Sequence, residues 1–185
     1  MKPKINIENI TYLIDFKQSL DFDERKAEIE GFEELSNLSG FVISLENSSA
    51  KSIVFPSAGK AFLLGIKSEA EMERIFWILI NELKKVSKLK LNPEIEIETH
   101  NIFASTNLRE NSKGEIDLEK IAMMENSVYE PKKFPGVFLR IFSSNKEKKI
   151  LGTAIVFRSG KTLLGDVKSI SDASLLLDKL LEMIR

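Results

Sequence analysis

Two hydrophobic periods divide the chain between them. Ile5 and Ile7 alternate with Asn6 and Glu8, the period-2 signature of a strand with one buried face. Short β-rich runs follow at Phe41 to Leu45, Lys51 to Phe55 and Ala61 to Leu64, separated by the turn-forming stretches Asn47-Ser48-Ser49 and Ser57-Ala58-Gly59. A second set occupies Val137 to Phe142, Thr153 to Phe157 and Thr162 to Leu164, divided by Ser143-Ser144-Asn145 and Ser159-Gly160. Helical spacing takes over at Met72, Ile75, Phe76, Leu79, Leu83 and Val86, behind Ser68-Glu69-Ala70-Glu71, which has capping-box spacing. It returns after Ser169 at Ala173, Leu176, Leu177, Leu180, Leu181 and Ile184. Shorter helices are predicted over residues 21–30 and 117–125, opening at Asp21 and Asp117, residues suited to N-capping.

The elements recur in order because the sequence repeats itself. Ile5 to Ile10 aligns with Ile97 to Ile102, and Asp21 to Ser44 with Asp117 to Arg140, which pairs Leu38 with Phe134 and Gly40 with Gly136. Gly59 to Ser68 aligns with Gly160 to Ser169 without a gap, and five of the ten positions are identical. Spacing between the blocks drifts only by loop-sized steps, the trace left by duplication followed by loop change. Each half reads as strand, helix, four strands, helix: residues 1–90 and residues 91–185, joined through Ser87 to Pro93. The predicted fold is α+β, two pseudo-symmetric repeats forming one curved antiparallel sheet of ten strands with four helices on one face.

Composition narrows the class. The 185 residues are 43% apolar and 30% charged, as in soluble globular proteins, and suffice for one sizeable core or two small packed units. A net charge of -1 means that any basic surface must be local. The absence of cysteine removes disulfides, thiol catalysis and zinc ribbons, and fits a reducing compartment. The longest apolar cluster, Ile75 to Ile80, falls far short of the ~20 residues of a membrane span. Met1-Lys2-Pro3-Lys4 leads into a patterned strand instead of a signal-peptide apolar region, so a cytosolic protein is expected.

Alternation also assigns the face without helices. Phe157 and Ile155 point to it, as do Phe55, Ile53, Phe62, Leu64, Leu163, Gly165, Val42, Ser44, Phe138 and Arg140. A wide, largely apolar face with nothing to cover it marks a partner site. On their own, Phe134 and Phe157 read as core packing; their places beside Pro135-Gly136 and Ser159-Gly160-Lys161, at backbone reversals where burial is hard to arrange, open the second reading of tools for prying a partner apart. His100, the single histidine, has no cysteine partner and reads as a strand residue. Trp77 reads as packing or a helix-face contact. Asp21, Asp23, Glu24, Asp117 and Glu119 lie in helix first turns, where acids are favoured by the dipole. No nucleophile–base pair, phosphate-cradling glycine loop or metal set is present, so no enzyme is expected.

Tyr129-Glu130-Pro131, Phe134-Pro135-Gly136, Arg140 and Phe157-Arg158-Ser159-Gly160-Lys161, in this order and spacing, resemble the archaeal TATA-box-binding protein family, with fainter matches at Asn9 and Gly59-Lys60. The resemblance implies a saddle with the helices on its convex face and the concave sheet in the minor groove of A/T-rich promoter DNA, phenylalanines wedged between base steps. This family is the standard example of such a kink, at about 80°. It implies wedges at Phe134, Phe157 and Phe55, with Leu38 in the fourth wedge place, and minor-groove amides at Asn9 and Asn101. It implies phosphate contacts at Arg140, Lys161, Lys168, Lys60 and Lys67, a place at the floor for Leu64, and a surface at Glu130, Lys132 and Lys133 for a transcription factor B-like protein. No cofactor, metal, membrane or small-molecule substrate is implied, and the location would be the nucleoid in the cytoplasm. Departures are Leu64 and Gly165 where the family carries threonine, Asp166 where it carries glycine, Thr11 and Phe103 for small aliphatics, Ser44 for arginine, and Lys132 for an acid. The departures support a second reading, a saddle-fold interaction protein that has lost tight TATA binding and modulates transcription through protein contacts. A ligand-binding module on the same floor is a third.

Overall fold

The computed structural model describes residues 2–45, 50–91, 93–109, 115–143 and 149–184. The strands are β1 (Asn6–Asp15), β2 (Glu33–Leu35), β3 (Gly40–Ser44), β4 (Lys51–Phe55), β5 (Lys60–Ile66), β6 (Glu96–Asn107), β7 (Ser127–Val128), β8 (Gly136–Phe142), β9 (Ile150–Phe157) and β10 (Lys161–Val167). They belong to one ten-stranded sheet in the order β2-β3-β4-β5-β1-β6-β10-β9-β8-β7. The turn read at Asn47-Ser48-Ser49, Ser144 and Asn145 of its counterpart, and Asn92 of the join lie outside the described residues.

Among the described residues there are three α-helices, α1 (Glu69–Val86), α2 (Leu118–Ala122) and α3 (Ile170–Ile184), and the expectation of four is corrected. Where the first was expected, Glu24–Glu28 forms a 3-10 turn capped by Asp23, not Asp21, whose carboxylate accepts from Arg25 N–H. The reason is physical: this turn buries none of its residues, so no apolar stripe sustains a longer helix. Its counterpart α2, capped by Asp117, buries Leu118 and Ile121 and keeps α-helical geometry, though over a shorter span than expected.

The chain divides into two compact units, Asn9–His100 and Met1–Glu8 with Asn101–Arg185. In the first, α1 begins at Ser68, whose hydroxyl accepts from Glu71 N–H at 3.2 Å, while the Glu71 carboxylate accepts from Lys67 N–H at 2.8 Å. α1 packs on β5 and buries Ile75, Leu79, Ile80, Leu83 and Val86 together with Phe41, Ile43, Val54, Leu63 and Ile66. Each such side chain contributes about 1.5–3 kcal/mol. In the second, Ser169 Oγ accepts from Asp172 N–H at the start of α3, which packs on β8, β9 and β10 and buries Ala173, Leu176, Leu177 and Leu180. Lys2 ties the N-terminal segment to α3 through Asp178 and Ser174.

The internal repeat extends to the backbone ladders. Ile10 pairs with Ile66 and Leu13 with Phe62; at the aligned positions Ile102 pairs with Val167 and Ser105 with Leu163. Both ladders lose register at the same point, where Gly65 has φ 82° and Asp166 has φ 61°.

Candidate nucleic-acid interface

In both units the strand positions turned away from the helices stay uncovered. Val42, Ser44, Ile53, Phe55, Phe62 and Leu64 in one unit, and Phe138, Arg140, Ile155, Phe157, Leu163 and Gly165 in the other, are half-buried or exposed. The residues between them, among them Ile43, Val54, Leu63, Leu139, Val156 and Leu164, are fully buried. The pleat therefore puts one set into each core and leaves the other uncovered.

Phe134 and Phe157 come together on this face with ring centroids 5.7 Å apart, and Phe138 lies 5.0 Å from Phe134, within the range of tilted aromatic pairs. Two turns hold them: Phe134 N–H donates to Glu130 O at 2.9 Å, and Gly160 N–H to Phe157 O at 2.8 Å. Gly136 lies beneath. A Cβ there would fall 2.9 Å from Phe134 Cε1 and 3.1 Å from Phe157 Cε1, so only glycine leaves room for both rings. In the other unit Phe55 meets Phe62 edge-on at 6.2 Å, Phe62 meets His100 at 5.1 Å, and Leu38 stands 58% exposed in the turn before Gly40.

The two asparagines are half-buried on their strands but differ in bonding. Asn9 Oδ1 accepts from Gly65 N–H at 2.6 Å and its Nδ2 donates to Thr11 Oγ1 at 3.1 Å. Asn101 Oδ1 is buried without a hydrogen-bond partner.

Cations flank the face unequally. Lys60 Nζ lies 3.8 Å from Asp15, which also pairs with Lys17 at 3.3 Å. The Lys17 N–H donated to Asp15, with smaller contributions from both lysines, holds this carboxyl below the usual carboxylate range. In the other unit Lys161 pairs across the ladder with Asn107, which is neutral and accepts from Arg109 N–H. Lys67, Lys132, Lys161, Lys168 and Arg140 make no ion pair with another described residue, and all five are exposed. Glu130 and Lys133 pair with each other at 2.6 Å on the turn preceding Phe134.

Several contributors escaped the sequence reading. Arg158, the variable place in Phe157-Arg158-Ser159-Gly160, pairs with Glu119 at 2.9 Å and Glu115 at 3.9 Å. Neighbouring Tyr129 first, and then Glu119, hold its guanidinium above its usual pKa. The Glu119 pair ties the turn after Phe157 to α2. The signal available was the contrast with Pro56 at the aligned place. Thr153, across the ladders from Arg140 and Gly165, donates to Asp166 at 2.7 Å. Trp77, read from the sequence as packing or a helix-face contact, is 49% exposed on α1, edge-on to Phe76.

The family model described as "Transcription factor TFIID (or TATA-binding protein, TBP)" matches residues 96–185. The TATA-box-binding protein of Methanothrix thermoacetophila is 31% identical over 173 residues, covering 91% of this chain and 88% of that one. That of Methanocaldococcus jannaschii is 32% identical over 188 residues, covering 100% and 96%. Among solved structures, Methanococcus jannaschii TBP superposes with a TM-score of 0.80 at 30% identity, over 98% of both chains.

Proposed function

Given that the chain belongs to the TATA-box-binding protein family, whose members are transcription factors and not enzymes, we propose that it binds and bends promoter DNA from the minor groove. The observation that carries this reading is the Phe134–Phe157 pair standing over Gly136 on an uncovered apolar face. The minor groove offers few distinguishing hydrogen bonds, so apolar wedges that unstack a base step read deformability and A·T content. Phe134 and Phe157 supply one wedge pair, Phe55 and Leu38 a weaker one, and residues 1–90 and 91–185 act as the two repeats of the platform. Asn9 and Asn101 face base edges from β1 and β6. Leu64 lines the floor, and Arg140, Lys161, Lys168, Lys60 and Lys67 meet phosphates, which supply the salt-dependent share of affinity.

Glu130, Lys132 and Lys133 form the surface offered to a transcription factor B-like protein, and the site of action is the nucleoid. No helix among the described residues is long and apolar enough to cross a membrane. Leu64, Gly165, Asp166 and Lys132 favour the second reading, an interaction protein that no longer binds TATA DNA tightly. Mobility shift on a TATA duplex across salt concentration, with and without transcription factor B, separates the two. The DNA reading expects binding that falls steeply with salt and is lost in Phe134→Ala and Phe157→Ala. Absence of binding at low salt leaves the interaction reading.

A further inference from the structure

We propose that Asp166 gives the second half of this face a preference for guanine, its carboxylate accepting the N2 amino group of a G·C pair; the inference rests on the minor-groove reading above. Asp166 sits at the break in the β10–β6 ladder with φ 61°, at the place where the first half has Gly65 at φ 82°. Glycine takes that conformation at least cost, and aspartate is among the few other residues that tolerate it. The backbone alone therefore gives no reason for an acid. Its side chain reaches the open face, because it accepts from Thr153, which lies in line with Ile155 and Phe157 on β9.

That bond occupies one acceptor position of a group that has several and donates from none. No described cation pairs with Asp166. Beside it, Gly165 leaves room: a Cβ there would meet only Phe103, at 3.4 Å. Over A·T pairs the minor groove presents only acceptors, which a carboxylate repels; guanine N2 is the one donor there. Thr153 donates into Asp166, and Gly165 brings no hydroxyl to the floor. This part of the face is thus built to accept.

The test scans a single G·C pair along an A·T duplex and repeats the scan with inosine·C, which lacks the N2 amino group and presents an A·T-like groove. The expected result is one position where G·C binds on the order of tenfold tighter than inosine·C. Asp166→Gly, which the local φ accommodates, abolishes that difference and tightens binding to the all-A·T duplex. Equal affinity for G·C and inosine·C at every position, or a preference that persists in Asp166→Gly, overturns the inference. If the all-A·T duplex is bound in a Phe157-dependent manner and no guanine preference appears, the guanine inference alone falls. Failure to bind any duplex overturns it together with the minor-groove reading.

Discussion

Asn9–His100 sets Phe55 edge-on to Phe62 and leaves Leu38 exposed, whereas the unit containing Asn101–Arg185 places Phe157 against Phe134, with Phe138 in contact beyond it. Both halves keep a glycine under the ring, Gly40 and Gly136, and both break the ladder between their first and fifth strands at the same place. Around this shared frame the chemistry has diverged. The first half neutralises part of Lys60 with Asp15; the second leaves Lys161 opposite a neutral Asn107 but adds the carboxylate of Asp166. Backbone geometry that fixes the fold is retained by both copies, while the groups facing a partner are free to change separately.

If the aromatic pair makes the second half the stronger wedge, alanine variants should rank accordingly. Phe157→Ala is expected to cost about 2 kcal/mol of duplex affinity, roughly thirtyfold, with Phe55→Ala costing about half of that and Leu38→Ala least, as read by mobility shift. Equal losses in the two halves would mean that the second half holds no stronger wedge.

The glycines under the rings also set the two halves apart. A Cβ at Gly40 would fall 2.6 Å from the Val54 carbonyl oxygen, which is backbone and cannot yield, so Gly40→Ala should lower stability by about 1–3 kcal/mol in chemical denaturation. At Gly136 the close atoms all belong to side chains, Phe134, Phe157 and Ile155. Gly136→Ala should therefore displace the rings, and binding should lose more than stability does.

A smaller effect concerns salt. Lys161→Ala should reduce the slope of log affinity against log salt by about 0.9, the value for one phosphate contact. Lys60→Ala should reduce it by less, and Asp15→Asn should bring the Lys60 contribution up to that of Lys161.

The smallest effect concerns pH. Asp15 titrates lower in the folded chain than in the unfolded one, so its contribution to stability is present above the unfolded pKa and lost as pH falls through the folded one. Its NMR-monitored carboxyl titration should show a midpoint below that of an ordinary aspartate, and Lys17→Ala should move the midpoint upward.

Most of the frame was legible in the residues. Period-2 alternation gave the strands and their open face because one side of each strand must be buried, and the repeat gave the element order. Glu33–Leu35 and Ser127–Val128 complete the expected count of ten strands but could not be located in the sequence, since they are too short for a period and are set by pairing with β3 and β8. A capping aspartate marks a helix start without guaranteeing the apolar stripe behind it, so Glu24–Glu28 forms a 3-10 turn where the sequence predicts a helix. At the candidate face, Phe134, Phe157 and the lysines were visible as residue types. Pairing was not: the Asp15–Lys60 contact, the Thr153–Asp166 hydrogen bond and the Arg158–Glu119 ion pair join residues that only the fold brings together.

An aromatic pair in the second half that unstacks DNA can be watched with 2-aminopurine placed at the terminal steps of an A/T-rich box, whose fluorescence rises when the base is unstacked. Fluorescence is expected to rise on binding, and the rise to be largely lost in Phe157→Ala and largely kept in Phe55→Ala. Binding without a rise, or an equal loss in the two variants, would contradict unstacking by that pair.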